Sequence, residues 1–328
     1  MNRVPLIRIV TPALADANNG NWRTADRWQK LLSPRFKVIV QGDWHGENCN
    51  ILIALHARRS AASIVRFREL HPSKPLIVVL TGTDLYRDLK TSQEARQSLA
   101  LADALIVLQE DAIQFVPREH RMKTHVVYQS AKQLTPATKL GHKLNCVVVG
   151  HLRDEKDPAT IFRAVEKINA NDHIHILHIG APLDKSLAAT AKNLVAHCPH
   201  YHWSGALAHG LTRAAIKRAH LLIHPSIMEG GANVIVEALT SGTPVIASKM
   251  SGNVGMLGQS YAGYFPVGDD LALVALLKRC ADDHNFMSRL GNACRHEQNY
   301  FCLMLNETRS AISRTNYFCQ HTKLEPNS

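Results

Sequence analysis

The sequence has 328 residues, of which 45% are hydrophobic and 20% charged, a balance that excludes a mostly disordered or fibrous chain. At about 150 residues per domain, the length predicts two domains. The formal net charge of +11 favours anionic partners. Phosphorylated small molecules fit better than nucleic acid, because the basic clusters are short and aromatic residues make up only 6% of the chain.

The sequence also limits where the protein works. No run approaches the roughly 18 consecutive apolar residues of a membrane span, and the charged N-terminal segment does not resemble a secretory signal. None of the seven cysteines forms a C-x-x-C pair, so neither a disulfide framework nor a zinc ribbon is predicted. We therefore expect a reduced, cytoplasmic protein with no integral membrane association.

The first half of the chain alternates short apolar runs with amphipathic segments. The expected helices include Trp22–Leu32 and Ile64–His71, and the polar stretch Gln129–His142 is interpreted as a linker. This alternation predicts right-handed βαβ units and a mostly parallel sheet. The expected strands are Leu6–Val10, Lys37–Val40, Ile51–Ala54, Leu76–Leu80 and Ala104–Leu108.

After the linker the same pattern starts again, and from about Asp269 to Tyr317 the chain is expected to be helical. The pattern therefore predicts an α/β protein of two doubly wound domains. The expected strands of the second half are Leu144–Val149, Ile174–Ile179, Ala219–His224 and Thr243–Ala247. The expected helices are Pro158–Ile168, Asp184–Ala196, Ala208–Lys217 and Gly231–Thr240.

Ligands bind open parallel sheets beyond the carboxyl ends of the strands, so polar loops there are candidate sites. In the first half, Gly20, Asn21 and Arg23 open a helix and form a possible anion site, or simply an Asn/Gly turn with a helix cap. After the fourth strand, Thr81, Thr83 and Asp84 offer two hydroxyls and a carboxylate around a glycine. The alternative is that Thr83 or Asp84 only caps the next helix.

The second half opens with a strand that ends at Gly150, followed by His151, Arg153 and Lys156 in one loop. Two cations at this edge can neutralise a diphosphate leaving group as its charge develops. The alternative is a solvated loop before a helix that begins at Asp157-Pro158.

The most informative segment is His224–Ala238, in which Glu229 precedes a Gly-Gly turn and Glu237 follows about two helical turns later. Gly230 and Gly231 permit close approach of a ligand, and amides up to Asn233, including that of Ala232, point from a helix start towards an anion. Glu237 can accept hydrogen bonds from two sugar hydroxyls. Two glutamates at this spacing are weak evidence for a site on their own. The flanking strand, the turn and the later segment Gly242–Ser248 strengthen this evidence.

With these motifs the second half resembles the retaining-type glycosyltransferases of family 4, which have the GT-B fold. The resemblance implies two Rossmann-like domains, with Glu237 on the ribose, Glu229 beside the transferred sugar, and the Gly150–Lys156 loop on the diphosphate. It places the domains at residues 1–140 and 141–299, with residues 300–328 crossing back to the first domain through a helix at Tyr300–Phe318.

Two departures accompany this resemblance. His151 stands where the family usually has an arginine, so either His151 or Arg153 takes the phosphate role. The family's histidine after the fourth strand is replaced by Thr81-Gly82-Thr83-Asp84.

Nearly the whole chain looks like the selenosugar synthases of selenoneine biosynthesis, which share these departures. The resemblance rests on the strings NGNWRTADRW, LTGTDLYRDL, VVVGHLRDEKDP, HPSIMEGGANVIVEA and SGNVGMLG. It implies attack by selenophosphate on the anomeric carbon of a UDP-sugar such as UDP-N-acetylglucosamine or UDP-glucose.

Selenophosphate is anionic and already strongly nucleophilic, so a general base is less necessary than for a sugar hydroxyl. Gly20, Asn21 and Arg23 would hold it, with Thr81, Thr83 and either Arg58 or Arg87. The alternatives are an ordinary O-glycosyltransferase with a hydroxyl acceptor and a non-catalytic binding protein for a nucleotide-sugar or nucleic acid.

Beyond these two substrates no cofactor is expected. The alternation along one strand places His173 and His175 on one face, which makes a metal site conceivable, but His178 has the wrong spacing to be a third ligand on that face. We therefore expect no metal.

Overall fold

The computed structural model describes residues 4–14, 20–139 and 143–297, and the chain divides into two compact units after Gln129. This division falls at the start of the predicted linker, earlier than residue 140. The reason is that residues just after Gln129 bond to the second unit. The N–H of Leu134 donates to the carbonyl of Thr240, and Arg213 Nη2 donates to the carbonyl of Lys132.

The first unit is a parallel six-stranded sheet in the order β2-β1-β3-β4-β5-β6, with helices between its strands. A π-helical turn, Asp84–Asp88, follows the fourth strand, and two 3-10 segments, Glu110–Phe115 and Arg118–Lys123, precede the last. The strands are β1 Leu6–Val10, β2 Lys37–Gln41, β3 Ile51–Leu55, β4 Leu76–Leu80, β5 Ala104–Val107 and β6 Thr124–Val126. The helices are α1 Gly20–Leu32, α2 Ala61–Leu70, α3 Leu89–Thr91 and α4 Gln93–Leu101.

Each face of this sheet has its own hydrophobic core. Along β3, Leu52 and Ala54 belong to one core cluster and Ile51 and Ile53 to the other. Successive side chains of a strand point to opposite faces, so a strand that is apolar throughout needs helices on both sides. The continuous apolar runs of the sequence therefore correspond to central strands of a doubly wound sheet.

The second unit is another parallel six-stranded sheet, in the order β12-β11-β10-β7-β8-β9. Four of its helices are preceded by an aspartate whose carboxylate accepts a backbone N–H group, as for Asp157 and the N–H of Thr160. Its strands are β7 Leu144–Val149, β8 Ile174–Ile179, β9 Tyr201–Gly205, β10 Leu221–His224, β11 Val245–Ser248 and β12 Tyr264–Phe265. Its helices are α5 Pro158–Lys167, α6 Lys185–His197, α7 His209–Arg218, α8 Asn233–Leu239, α9 Ser251–Leu257, α10 Asp270–Asp282 and α11 at 284–297.

The predicted α/β class with two parallel sheets is confirmed, and the three strands not predicted (β6, β9 and β12) all lie at a sheet edge. These three strands are paired on one side only and are partly exposed, so they lack the continuous apolar run of a central strand. The expected helical stretch after Asp269 is helical to residue 297. The expected crossing helix, Tyr300–Phe318, lies outside the described residues.

Five cysteines fall in the described part of the chain, and all are free thiols: Cys49, Cys146, Cys198, Cys280 and Cys294. None of the described helices combines the length and apolar character needed to span a bilayer.

Candidate active site

The strand order of each sheet reverses at one point, and ligands of open α/β sheets bind in the crevice at that reversal. In the first unit the reversal lies between the adjacent strands β1 and β3, because the chain continues from β1 to β2 on one side and from β3 to β4, β5 and β6 on the other. In the second unit it lies between β7 and β10. The loops that follow these four strands therefore define one candidate crevice in each unit.

In the second unit, two glycines allow close packing of the loop after β7, one within this loop and one in the loop after β8. The aliphatic chain of Lys156 lies 3.5 Å from the place a Cβ would take at Gly150. A Cβ at Gly180 would overlap the carbonyl of Gly150, so only glycine lets the two loops approach so closely. His178, buried beneath, donates from Nε2 to that same carbonyl at 3.2 Å and accepts from the Tyr201 hydroxyl at 3.0 Å. The backbone of this loop is thus fixed on two sides.

The structure brings the predicted residues Lys156 and Glu229 into direct contact. Lys156 Nζ donates to Glu229 Oε1, and the N–H of Ile227 donates to the carbonyl of Glu155, which joins the loops after β7 and β10. Both ionic side chains are mostly buried, with 19% and 14% exposed. Residues 73 positions apart in sequence meet here because β7 and β10 are adjacent strands.

His224, the last residue of β10, lies behind this ion pair and was not predicted as a site residue. Its Nε2 is 3.6 Å from Glu229 Oε1 and has no hydrogen-bond partner among the described residues. Burial lowers the pKa of His224 to about 4, and Glu229 opposes this only in part. The imidazole is therefore neutral near pH 7. The only sequence signal was a histidine that ends a buried strand.

The electrostatics of Glu229 favour its ionised form. Burial alone raises the pKa of this carboxyl, but Lys156 and the other neighbours lower it more, so that the net shift is downward. An ionised carboxylate held by a cation at the crevice can orient a sugar hydroxyl or stabilise developing positive charge at an anomeric carbon.

The two candidates for the phosphate role lie differently in the loop. His151 Nδ1 accepts the N–H of Ala181 at 3.0 Å, which ties this ring to the end of β8. Arg153 has a side chain that is 39% exposed, and its Nε lies 3.9 Å from Glu155 Oε2. That Nε is buried without a hydrogen-bond partner among the described residues. Arg153 is therefore a partly exposed cation, whereas His151 is fixed to the backbone through Nδ1.

The turn after Glu229 differs from its prediction, since α8 begins at Asn233 rather than at Gly231. Gly230 and Gly231 form the preceding turn, because glycine has a low helix propensity. Ala232 occupies the N-cap position without a side-chain cap. Across from this turn, a Cβ at Gly252 would overlap the carbonyl of Glu229, so α9 holds the backbone of Glu229 closely.

Glu237, the predicted ribose ligand, lies on α8 and contacts two side chains of α7. His209 Nε2 lies 2.7 Å from Glu237 Oε1, and Arg213 Nη1 donates to the Glu237 carbonyl at 3.3 Å. Arg213 is itself buried and also bonds to Thr240 Oγ1. These two residues of α7, which sequence reasoning missed, set the position of the carboxylate and of the helix that carries it.

In the first unit, Gly20 is the first residue of α1, and Asn21 and Arg23 lie in its first turn, half-buried. Thr24 Oγ1 donates to the Gly20 carbonyl at 2.9 Å and accepts from Gln129 Nε2 at 2.6 Å. The start of this helix is therefore anchored to the end of the first unit, at the reversal beside β1.

The three predicted residues of the loop after β4 differ in their burial and in their hydrogen bonds. Asp84 is fully buried, and its Oδ1 accepts the N–H groups of Thr81 and Gly82 at 2.9 Å. Its Oδ2 accepts the N–H of Ala57 at 2.9 Å. The carboxylate therefore orders the loops after β3 and β4, and the direct ligand contact predicted for Asp84 is not available. Thr81 and Thr83 are half-buried at the edge.

The loop after β3 lies at the reversal of the sheet, and only Arg58 of this loop was predicted as part of the site, as an alternative to Arg87. It places a buried histidine, His56, 2.9 Å from Thr83 Oγ1. Arg58 Nε and Arg87 Nε donate to the two oxygens of Asp88 at 2.9 and 3.2 Å. The available signal was the polar stretch that follows the apolar run of β3.

Among residues 4–14, 20–139 and 143–297, no cluster of three or more histidine, cysteine, aspartate or glutamate side chains has the arrangement of a metal site. The histidines considered for such a site are dispersed, since His178 is buried under Gly150 and His173 caps a 3-10 turn in a left-handed conformation.

Comparison with known proteins identifies the family and the fold of this chain. A family model described as glycosyl transferases group 1 matches residues 101–297, more than half of the chain. A sucrose-phosphate synthase from Thermosynechococcus elongatus superposes with a TM-score of 0.77 at 16% identity, covering 97% of this chain and 100% of the other. HepE from Anabaena, solved with UDP and glucose, superposes with a TM-score of 0.70 at 15% identity, covering 96% and 100%.

Longer proteins match as well. TarM from S. aureus has a TM-score of 0.62 at 12% identity, and the pneumococcal O-GlcNAc transferase GtfA one of 0.66 at 16% identity. This chain is covered to 79% and 83%, but spans only 55% and 57% of those two chains. Together with the two parallel sheets, these likenesses confirm the GT-B fold class.

Proposed function

Because the chain belongs to the group 1 glycosyltransferases, we propose that it transfers the sugar of a UDP-sugar to selenophosphate. Selenium forms a bond to the anomeric carbon while the bond from that carbon to the UDP oxygen breaks, and UDP leaves with the electron pair. The observation that carries the donor half of this proposal is the Lys156–Glu229 contact at the reversal of the second sheet.

The geometry of the second unit supports the donor roles that the family resemblance implies. Lys156 and Arg153 neutralise the diphosphate as UDP leaves, and Glu229 lies beside the transferred sugar. Glu237, fixed by His209, accepts hydrogen bonds from the ribose hydroxyls. The UDP bound by HepE, a structural neighbour that covers 96% of this chain, supports UDP as the nucleotide.

The acceptor half rests on sequence strings in both units that resemble selenosugar synthases, and on the cationic character of the first unit. Arg23 lies in the first turn of α1, and Arg58 and Arg87 flank the loops after β3 and β4. These are the groups that a small anion requires. The five free thiols of the described chain fit the reducing, cytoplasmic setting that we assign to this reaction.

A hydroxyl acceptor is the second candidate, because one structural neighbour is an O-GlcNAc transferase. The deciding experiment measures UDP release from a panel of UDP-sugars with selenophosphate, thiophosphate, simple alcohols or no acceptor, with mass analysis of the product. Selenophosphate-dependent release with a selenium-containing sugar supports the proposal. Release that needs an alcohol and ignores selenophosphate moves the function to O-glycosyl transfer. Glu237→Gln serves as the control, because its loss of release ties the signal to this site.

A further inference from the structure

A buried histidine supports a half-buried threonine hydroxyl in the first unit. His56 is 2% exposed and adopts φ +73°, in the left-handed region that few residues other than glycine occupy. Its Nε2 lies 2.9 Å from Thr83 Oγ1, so the loop after β3 reaches the loop after β4. Backbone strain of this kind persists only where the surroundings enforce it, and it concentrates at functional sites.

The direction of this hydrogen bond follows from the other ring nitrogen. The N–H of Arg59 donates to His56 Nδ1 at 3.3 Å. Since a backbone N–H can only donate, Nδ1 carries no proton, and the proton of the neutral ring lies on Nε2. Burial lowers the pKa of His56 in spite of the opposing effects of Asp84 and Asp88, so the ring is neutral at pH 7. His56 therefore donates to Thr83 Oγ1.

Thr83 consequently has its own hydroxyl proton to offer. Within the described part of the chain, His56 is the sole recorded partner of this hydroxyl. The nearby carboxylates are engaged elsewhere, since Asp84 accepts three backbone N–H groups and Asp88 accepts two arginine Nε–H groups. The hydroxyl is thus set to donate to an acceptor atom of a bound ligand.

The charge around Thr83 has the sign that an anion requires. Arg58 and Arg87 share the single carboxylate of Asp88, which is 5% exposed, while their own side chains are 42% and 45% exposed. Arg59 adds a third, exposed cation in the same loop. Against the carboxylates of Asp84 and Asp88, these arginines leave the cluster with one excess positive charge.

From this geometry we infer that His56 is a positioning residue that makes Thr83 a hydrogen-bond donor to an oxyanion, and that the acceptor arrives already ionised. A hydroxyl acceptor would need a group that takes its proton. At this cluster His56 Nδ1, Asp84 and Asp88 all have hydrogen-bond donors bound to them. The inference rests on the proposed function for the name of the anion, but the preference for a phosphoryl-type oxyanion stands on the cluster itself.

Direct binding to the full chain tests the cluster without turnover, with inorganic phosphate and thiophosphate as probes in calorimetry. Thr83→Val keeps the shape and removes the donor, and we expect about tenfold weaker phosphate binding. Thr83→Ser keeps the hydroxyl and stays within about twofold of the wild type. Glu237→Gln is the matched control, since it weakens UDP binding and leaves phosphate binding unchanged.

The role of His56 is separated from a merely structural one by conservative replacement. His56→Gln retains an N–H for Thr83 and an oxygen for the N–H of Arg59, so it should keep phosphate affinity, whereas His56→Leu should weaken it severalfold. UDP affinity should stay constant in both variants, because the residues assigned to UDP lie in the second unit. In turnover, Thr83→Val should raise KM for selenophosphate and leave KM for the UDP-sugar unchanged.

Three results would overturn the inference. They are wild-type protein that fails to bind phosphate at millimolar concentration, equal affinities of Thr83→Val and Thr83→Ser, and a His56→Gln variant that loses kcat together with the acidic limb of its pH profile, as expected for a proton acceptor. Phosphate binding that depends on Thr83, without turnover of selenophosphate, supports this inference and refutes the proposed function. Turnover of selenophosphate that is unchanged in Thr83→Val refutes this inference and supports the proposed function.

Discussion

Removing the charge of Lys156 should destabilise the second unit, because it leaves a mostly buried carboxylate without its cation. Lys156→Met keeps the aliphatic contact with Gly150 and deletes the ammonium group. Breaking a fully buried ion pair costs about 3–5 kcal/mol. Since these side chains are 19% and 14% exposed, water compensates part of that loss, and we expect about 1–3 kcal/mol at pH 7.

The pH dependence of this loss identifies its cause. Lys156 holds the pKa of Glu229 below its ordinary 4.5 in spite of burial, so the pair contributes its full stability above that value. This contribution disappears as the pH falls through the lowered pKa of the folded state. In Lys156→Met, the largest effect that opposes burial is lost, so the pKa of Glu229 rises. The difference between the two proteins should therefore be largest at neutral pH and shrink below pH 4.5.

The assay is denaturant unfolding of the wild type, Lys156→Met, Glu229→Gln and the double variant at pH 7 and at pH 4. We expect the double variant to lose less stability than the two single losses together, by about 1–2 kcal/mol. Lys167→Met is the matched control, because it removes an exposed lysine that also pairs with a carboxylate, Asp270. Strict additivity, a loss independent of pH, or an equal loss in the control would refute the reasoning. In turnover, Lys156→Met should lower kcat by about 10²–10³.

Three further predictions concern residues outside the Lys156–Glu229 pair. Arg23→Ala should raise KM for the acceptor about tenfold with little change in KM for the UDP-sugar, as measured by initial rates, and equal increases would contradict its placement on the acceptor side. His209→Ala should weaken UDP binding about three- to tenfold in calorimetry, because Glu237 Oε1 loses the donor that orients it, and an unchanged affinity would exclude this role. Asp270→Asn should cost about 1 kcal/mol or less at pH 7, because its partners are exposed. Hydrogen bonds from Lys167 and Arg163 lower the pKa of Asp270 to about 2, so this contribution is complete above pH 4 and vanishes towards pH 2 in urea unfolding.

The central strands and most helices could be predicted from the sequence because each buries a long apolar face. β4 and β7, for example, have the bounds that their apolar runs predict. β9 and β12 could not be predicted, because each is paired on one side only. β9 also contains polar residues such as His202. Helix α8 begins later than predicted because the two glycines before it favour a turn.

The candidate site could be predicted where a residue's role follows from its position after a strand, as for Lys156 and Glu229. The role of a residue could not be predicted where it depends on which group the side chain contacts in the folded protein. Asp84 has the residue type of a ligand, but its oxygens are taken by three N–H groups that no sequence pattern reveals. His56, His209 and His224 have no periodic signal, and each gains its role from a contact formed by folding.

The position of the reversal in each sheet also has a consequence for folding. In the first unit the strands that flank the crevice end at Val10 and Leu55, but in the second they end at Val149 and His224, so a longer stretch of chain must be closed. The extra entropy of closure is small, about 0.5 kcal/mol. However, contacts between distant residues slow folding more than they reduce stability. The first crevice should therefore form before the second during refolding.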